Sequence, residues 1–237
     1  MFLCIRKRDL TILGLFCCVF AISMAVFLTK KEVSIPTFFS SSDVPAILVI
    51  DPGHGGEDGG AIALDGSVSE SSLNLEIALR VNDLMRFLGQ PTTMTRTEDV
   101  SIHSPGAQNI REKKVSDLHN RVALVNETEN ALLLSIHQNS LPSSTATHGA
   151  QVFWNRREGA QEWAQSVQDA LNASINVGNE KKTKTIPNTI YLMKNITVPG
   201  ILVECGFLSN QEETTRLQQR NYQLRLATAI TAGCRNA

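Results

Sequence analysis

The sequence predicts an α/β protein, built as a single-domain, three-layer α/β/α sandwich around a mostly parallel sheet of about six strands. From Ala46 onward, short apolar runs typical of buried strands alternate with longer runs whose apolar residues recur every three or four positions. The chain has 237 residues, 42% of them hydrophobic. The part beyond the first thirty residues is long enough to bury one sizeable core.

The N-terminal residues 1–30 are predicted to lie outside this domain. A basic cluster at residues 6–8 precedes an uncharged apolar run, residues 10–28, which is long enough to span a bilayer as a helix. The cluster favours export of everything after it across the cytoplasmic membrane. A small-x-small pattern at residues 23–25 lies inside the apolar run, which favours an uncleaved membrane anchor over a cleaved signal segment. We therefore expect an exported protein, either membrane-anchored or secreted.

Residues 31–45 are typical of a linker, since they contain several serines and two prolines and no sustained periodicity. The domain then occupies residues 46–237.

Charge and cysteine content exclude two classes of protein. With 22 basic and 23 acidic residues, the chain lacks the basic excess that holds nucleic acid. Only Cys205 and Cys234 follow the linker, so a disulfide scaffold or a zinc ribbon is excluded and at most one bridge can form.

The elements of the domain follow from the two periodicities in order along the chain. Candidate strands are residues 46–50, 92–95, 131–136, 150–154, 189–193 and 201–204. Amphipathic helices are predicted around residues 73–88, 118–125 and 163–175, and a last helix near residues 212–233 closes the chain. Such alternation is typical of a largely parallel sheet covered on both faces.

Polar side chains stand where three of these strands end. Asp51 and His54 follow the first strand, His137 ends the third, and Glu204 ends the last. Ligand sites of open α/β sheets collect at the carboxyl ends of the strands. We therefore expect these side chains to share one edge of the sheet.

The glycine-rich loop at residues 53–60 raises the alternative of a phosphate cradle. The loop does not match Gly-x-Gly-x-x-Gly, because Asp58 takes the place of the third glycine, and no Gly-Lys-Ser/Thr follows. Glu57 and Asp58 would also repel an anion. We expect the glycines instead to let the backbone turn sharply and to leave space around His54.

Imidazole and carboxylate groups are the ligands of catalytic zinc, which keeps a water molecule in its fourth position. His54 and His137 are candidates for two ligands, and Glu70, before the first helix, is the best-placed acid for the third. The segment at residues 67–70 also fits a capping box, in which Glu70 only satisfies backbone donors. Spacing alone leaves these two roles for Glu70 equal.

Seven segments follow one another along the domain: IDPGHGGEDGGA, ESSLNLEIAL, TRTED, LHNRVALVN, SIHQNS, HGAQVFW and VPGILVECGFLSNQEE. In this order they resemble the zinc-dependent N-acetylmuramoyl-L-alanine amidases of bacterial cell walls. The resemblance runs from about residue 46 to the C-terminus. It implies that His54, Glu70 and His137 hold Zn²⁺ and that Glu204 is the catalytic acid/base.

The resemblance also implies the reaction, which is hydrolysis of the amide between the lactyl group of muramic acid and the L-alanine of the peptidoglycan stem peptide. A small, anchored member resembles the germination-specific amidases of spore-forming bacteria, which take part in forming muramic δ-lactam in the spore cortex. The domain would then face the cell wall or the cortex, and activity would depend on a partner protein if the isolated domain holds zinc weakly. The alternatives are a general wall-turnover amidase, a zinc peptidase that cuts within the stem peptide, and a catalytically silent wall-binding domain.

Four further residues keep two interpretations each. Asp51 either orients His54 or caps the turn. Asn139 either contacts the metal-bound water or the substrate, or else bonds within its loop. Arg96 and Arg121 either bind carboxylates of the stem peptide or form ion pairs within the protein. A thiol nucleophile at Cys205 is disfavoured, because no histidine is paired with it in the sequence.

Overall fold

The computed structural model describes residues 45–236. The predicted anchor at residues 1–30, and all of the predicted linker except Pro45, lie outside the described residues. Among the described helices, none is both long enough and apolar enough to cross a membrane.

One sheet of six strands forms the middle of the described domain, as predicted. Its strands are β1 (Ile47–Pro52), β2 (Thr92–Met94), β3 (Ala131–Asn139), β4 (Gln151–Trp154), β5 (Lys184–Thr185) and β6 (Gly200–Phe207). They lie in the order β2-β1-β3-β6-β4-β5. The first four strands in this order are parallel, whereas β4 runs antiparallel to β6 and β5 follows β4. The carboxyl ends of β1, β3 and β6 therefore meet at one edge.

Helices cover both faces of the sheet and confirm the predicted three layers. They are α1 (Glu70–Phe87), α2 (Ile110–Glu127), α3 (Ala160–Ser174), α4 (Tyr191–Asn195), α5 (Gln211–Leu217) and α6 (Arg220–Arg235). Leu48 and Ile50 of β1 belong to the same apolar cluster as residues of α1, α3 and α6. Val49, between them, packs instead with residues of α2 and α4. Each face is thus buried because successive strand side chains point to opposite sides.

Two sequence predictions about elements are wrong. The strand predicted at residues 189–193 is a loop that leads into the short helix α4, in which Leu192 and Met193 are buried together with Ile196 one turn later. A short apolar run does not distinguish a strand from one buried helical turn. The single last helix is two, because Gln219 is extended, at φ −85° and ψ 125°, between α5 and α6.

Both cysteines of the domain, Cys205 and Cys234, are free thiols in the core. Burial raises the pKa of each thiol, in Cys234 to about 12. Neither is therefore available as a nucleophile at neutral pH.

Candidate metal centre

His54 is the second residue after β1 and has an unusual backbone conformation. Its φ of 61° lies in the left-handed region, which residues other than glycine adopt only rarely. The carbonyl oxygen of His54 accepts a hydrogen bond of 2.7 Å from Nη2 of Arg121. A buried guanidinium thus holds the turn that presents the imidazole ring.

The two ring nitrogens of His54 face two different carboxylates. Nδ1 lies 3.0 Å from Oδ2 of Asp58, and Nε2 lies 3.3 Å from Oε1 of Glu70. Burial lowers the pKa of the ring, but the hydrogen bonds to Asp58 and Glu70 outweigh it and raise the pKa of His54 to about 9. Asp58 therefore fixes the ring so that Nε2 points toward Glu70, which is how ligating histidines are oriented in metal sites.

Glu70 begins α1 and is buried between the two histidines. Its Oε1 lies 2.9 Å from Nδ1 of His137, and its Oε2 accepts a hydrogen bond of 2.8 Å from the amide of Ala61. Burial alone would raise the pKa of Glu70, but its bonds with His137 and His54 hold it well below the usual range. The capping box does not form, since Ser69 is the N-cap and makes no side-chain cap bond.

Two glycines make room for these ligands. A Cβ added at Gly53 would lie 2.2 Å from the ring of His137, and one at Gly60 would lie 2.5 Å from Oε2 of Glu70. The glycines of the loop thus clear space around His137 and Glu70 as well as around His54. Ligand atoms of His54, Glu70 and His137 all lie within 4.8 Å of one another. Two imidazoles and one carboxylate at this spacing fit a metal ion held by three protein ligands.

Glu204 stands beside this cluster on β6. It is the register partner of His137 on β3. Its Oε2 is buried and has no hydrogen-bond partner among residues 45–236, and burial raises the pKa of Glu204 to about 7. A carboxyl group with a pKa near neutrality both accepts and donates a proton readily.

Asp51 and Arg121 form a buried ion pair behind the metal ligands. Arg121 Nη1 contacts Oδ1 of Asp51, and Arg121 Nε lies 2.6 Å from Oδ2 of Asp117. Ser135 Oγ donates to Oδ2 of Asp51 over 2.8 Å. Among the described residues, Arg121 links Asp51 to the backbone of His54, and the structure favours the ion-pair interpretation of Arg121.

The remaining two predicted residues, Arg96 and Asn139, form hydrogen bonds with backbone groups of the protein. Arg96 is buried and donates to the carbonyl oxygens of Pro52 (3.0 Å), Gly53 (3.1 Å) and Ser71 (2.9 Å). Oδ1 of Asn139 accepts a hydrogen bond of 2.8 Å from the amide of Ser140, as in its loop-bonding interpretation. Arg96 lies away from solvent, which does not favour a role in binding stem-peptide carboxylates.

Two residues that contact the candidate site were missed by the sequence interpretation, which treated Asp58 only as a charge that repels anions and did not consider Lys114. Nζ of Lys114 lies 2.7 Å from Oδ1 of Asp58, whose other oxygen contacts His54. Asp58 follows His54 by four residues in a loop that turns back on itself, and that short spacing was a usable signal. Lys114 had none, because it comes from a distant helix.

Two imidazoles and a carboxylate at the carboxyl edge of an α/β/α sandwich, with a buried glutamate beside them, form a site of the kind that metal-dependent hydrolases use. The chain belongs to the Amidase_3 family of N-acetylmuramoyl-L-alanine amidases, which it matches over residues 48–236. It is 37% identical over 187 residues to the germination-specific N-acetylmuramoyl-L-alanine amidase of Bacillus subtilis (strain 168), covering 79% of this chain and 77% of that protein. The predicted family is therefore confirmed.

More distant relatives and solved structures agree. The N-acetylmuramoyl-L-alanine amidase AmiA of Escherichia coli (strain K12) is 27% identical over 79% of this chain and 74% of its own length. The structure of the CwlD amidase from Clostridioides difficile in complex with the GerS lipoprotein superposes with a TM-score of 0.76. It is 32% identical and the match covers 79% of this chain and 95% of that one.

Proposed function

We propose that the chain is a zinc-dependent N-acetylmuramoyl-L-alanine amidase, which hydrolyses the amide between the lactyl group of muramic acid and the L-alanine of the stem peptide. One observation carries the proposal: the ligand atoms of His54, Glu70 and His137 converge within 4.8 Å, in a chain that belongs to this amidase family. Two imidazoles and one carboxylate are a ligand set of catalytic zinc, which suits N and O ligands together.

His54, Glu70 and His137 would hold the ion, with Asp58 fixing the ring of His54. When bound, zinc lowers the pKa of water toward neutrality and polarises a substrate carbonyl. An amide needs both effects, because its carbonyl is a poor electrophile and water is a poor nucleophile.

Glu204 supplies the proton transfer. Its carboxylate accepts a proton from the attacking water and then donates that proton to the departing amine of L-alanine. The pKa of about 7 suits both halves of this task. Its unpartnered Oε2 is an acceptor with no competing hydrogen bond from the described protein.

We further propose that the enzyme acts in maturation of the spore cortex, where removal of the stem peptide precedes formation of muramic δ-lactam. Support comes from the similarity to the germination-specific amidase. A general wall-turnover amidase would share every site residue, so the substrate preference has to be measured on cortex and vegetative peptidoglycan side by side. A cortex-specific enzyme should release peptide faster from cortex than from vegetative wall, whereas equal rates would identify a general wall-turnover amidase.

A partner protein is the next proposal, since the similar CwlD structure was solved in complex with a lipoprotein. The expected role of such a partner is to raise the activity of the domain, and a test is whether extract from sporulating cells stimulates the purified protein.

We also propose that residues 10–28 anchor the exported domain in the membrane. Cell fractionation of the full chain and of a chain starting at residue 31 tests the anchor.

The decisive test of the reaction is digestion of purified peptidoglycan by residues 31–237, with zinc added, beside the Glu204→Gln variant. Mass analysis of the products should show muramic acid without peptide, and free amino termini of L-alanine, for the parent only. New termini inside the peptide would instead identify a peptidase. No change to the peptidoglycan, with zinc and cell extract both present, would contradict the proposed activity.

A further inference from the structure

Two cavities lie side by side at the candidate metal centre. The first, of about 250 Å³, is lined by His54 and His137. The second, of about 290 Å³, lies between the glycine-rich loop and the start of α2. Asp58, Lys114 and Asp117 line both cavities. A ligand whose reacting group lies at His54 and His137 is therefore next to the second cavity.

The second cavity is lined by charged groups, and its four acids already have partners. Glu57 pairs with Lys113, Asp58 with Lys114 and His54, Asp117 with Arg121, and Asp99 accepts a hydrogen bond from the amide of Gly56. Lys114 differs from them. Its side chain is 49% exposed, and among the described residues Asp58 is its one ion-pair partner. An ammonium group has three N–H donors, so Lys114 keeps donors for a ligand.

The chemistry of the substrate decides which part of it belongs there. Next to the scissile amide, the glycan side carries no charge, because the carboxyl group of muramic acid is itself half of the bond. The stem peptide on the other side carries free carboxylates, beginning with the α-carboxyl of the glutamate after L-alanine. The half-exposed ammonium group of Lys114, which keeps donors beyond its bond with Asp58, is complementary to a carboxylate of the peptide side.

We propose that the second cavity is the subsite for the stem peptide and that Lys114 determines specificity by binding a peptide carboxylate. This inference rests on the proposed amidase function. The sequence suggested Arg96 and Arg121 as the residues that bind peptide carboxylates. Both are buried and bonded to the protein, so this inference gives that role to Lys114 instead. A charge-assisted hydrogen bond is short and about twice as strong as a neutral one. Lys114 can therefore distinguish a peptide with a free carboxylate from one without it.

The test compares two N-acetylmuramoyl-L-alanyl-D-glutamate compounds with the γ-carboxyl capped as a methylamide. They differ only in whether the α-carboxyl is free or amidated. Dissociation constants are measured by calorimetry on the zinc-loaded full chain carrying Glu204→Gln, which prevents turnover. We expect the free carboxylate to bind about tenfold more tightly. Adding Lys114→Met should bring the ratio near one, and Lys114→Arg should keep most of the preference.

The matched control is Lys184→Met, which removes an exposed lysine from β5, away from both cavities. It changes the net charge equally and should leave the ratio at its parental value. Because the readout is a ratio on one protein, a general loss of stability or zinc cancels. Equal affinity for the two compounds, no binding of either, or a preference that survives Lys114→Met would each overturn the inference. Failure of the amidase proposal is seen separately, as intact peptidoglycan after treatment with the zinc-loaded parent.

Discussion

His137 on β3 and Glu204 on β6 are register partners on adjacent parallel strands. Side chains at paired positions project from the same face of a sheet, so a metal ligand and the proposed proton acceptor are aligned by one ladder of backbone hydrogen bonds. His54 and Glu70 are brought to this pair by the loop after β1 and the first turn of α1. Half of the site is thus built on the rigid centre of the sheet.

Glu204→Gln should abolish most of the activity and keep the metal. The amide matches the carboxyl in shape but accepts no proton at neutral pH, so we expect peptide release to fall about 10²- to 10⁴-fold. Zinc content per chain, measured after dialysis, should stay at the parental value. A variant that loses zinc together with activity would identify Glu204 as a ligand instead.

The same variant should be more stable than the metal-free parent above neutral pH. Burial raises the pKa of Glu204 from 4.5 to about 7, so the folded protein binds this proton more tightly than the unfolded chain. The parent therefore loses stability as the pH rises from 4.5 to 7, by about 1–3 kcal/mol. Urea unfolding with chelator at pH 5 and pH 8 measures the loss in both proteins. The loss should be larger in the parent than in Glu204→Gln by about this amount, because the contribution of His54 is common to both.

Metal binding should release protons. In the metal-free protein the pKa of His54 is raised from 6.5 to about 9, so the stability contributed by charged His54 is complete below pH 6.5 and lost as the pH rises to 9. Zinc competes with this proton for His54. The apparent affinity of the protein for zinc should therefore increase about tenfold per pH unit between pH 6.5 and pH 9. Calorimetry in two buffers with different heats of ionisation should count about one proton per zinc at pH 7.5. Asp58→Asn removes a bond that raises the pKa, and the count should fall.

Gly53→Ala should damage the metal site specifically. The added Cβ would lie 2.2 Å from the ring of His137, so the ring has to move, and we expect zinc affinity to drop by about tenfold or more. Gly106→Ala is the control, since nothing lies within 4 Å of the Cβ that it adds. Competition with a chromogenic chelator gives both affinities, and equal values would show that His137 tolerates the methyl group.

Arg121→Met should destabilise the whole domain. The change leaves Asp51 and Asp117 without their buried cation, at an expected cost of about 3–5 kcal/mol of unfolding free energy. Arg111→Met, on the exposed first turn of α2, should change that free energy by less than about 0.5 kcal/mol. Urea unfolding of both variants separates the two interpretations of Arg121. If Arg121 only bound substrate, its substitution would raise KM and leave the unfolding free energy unchanged.

The sequence predicted the sheet and the principal ligand candidates because those signals are local. Strand ends and amphipathic spacing place His54, His137 and Glu204 at one edge, and the family resemblance added the choice of Glu70. Arg96, by contrast, donates to carbonyls that lie 25 to 44 residues away, and nothing near it in the sequence indicates which groups it meets. The same holds for Lys114 and Asp58, which lie 56 positions apart and meet only after α2 packs.

Sheet order also constrains when the enzyme becomes active during synthesis. The last strand in the chain, β6, lies between β3 and β4 in the sheet, so β4 and β5 have no completed sheet to join until the final forty or so residues have emerged. Glu204 arrives with that strand, long after the ligands from β1, α1 and β3. If the proposed roles hold, a nascent chain has His54, Glu70 and His137 early but lacks the proposed proton acceptor until almost the whole polypeptide has been made. Premature termination anywhere before β6 yields a fragment without the proposed proton acceptor and with an open sheet edge at β3.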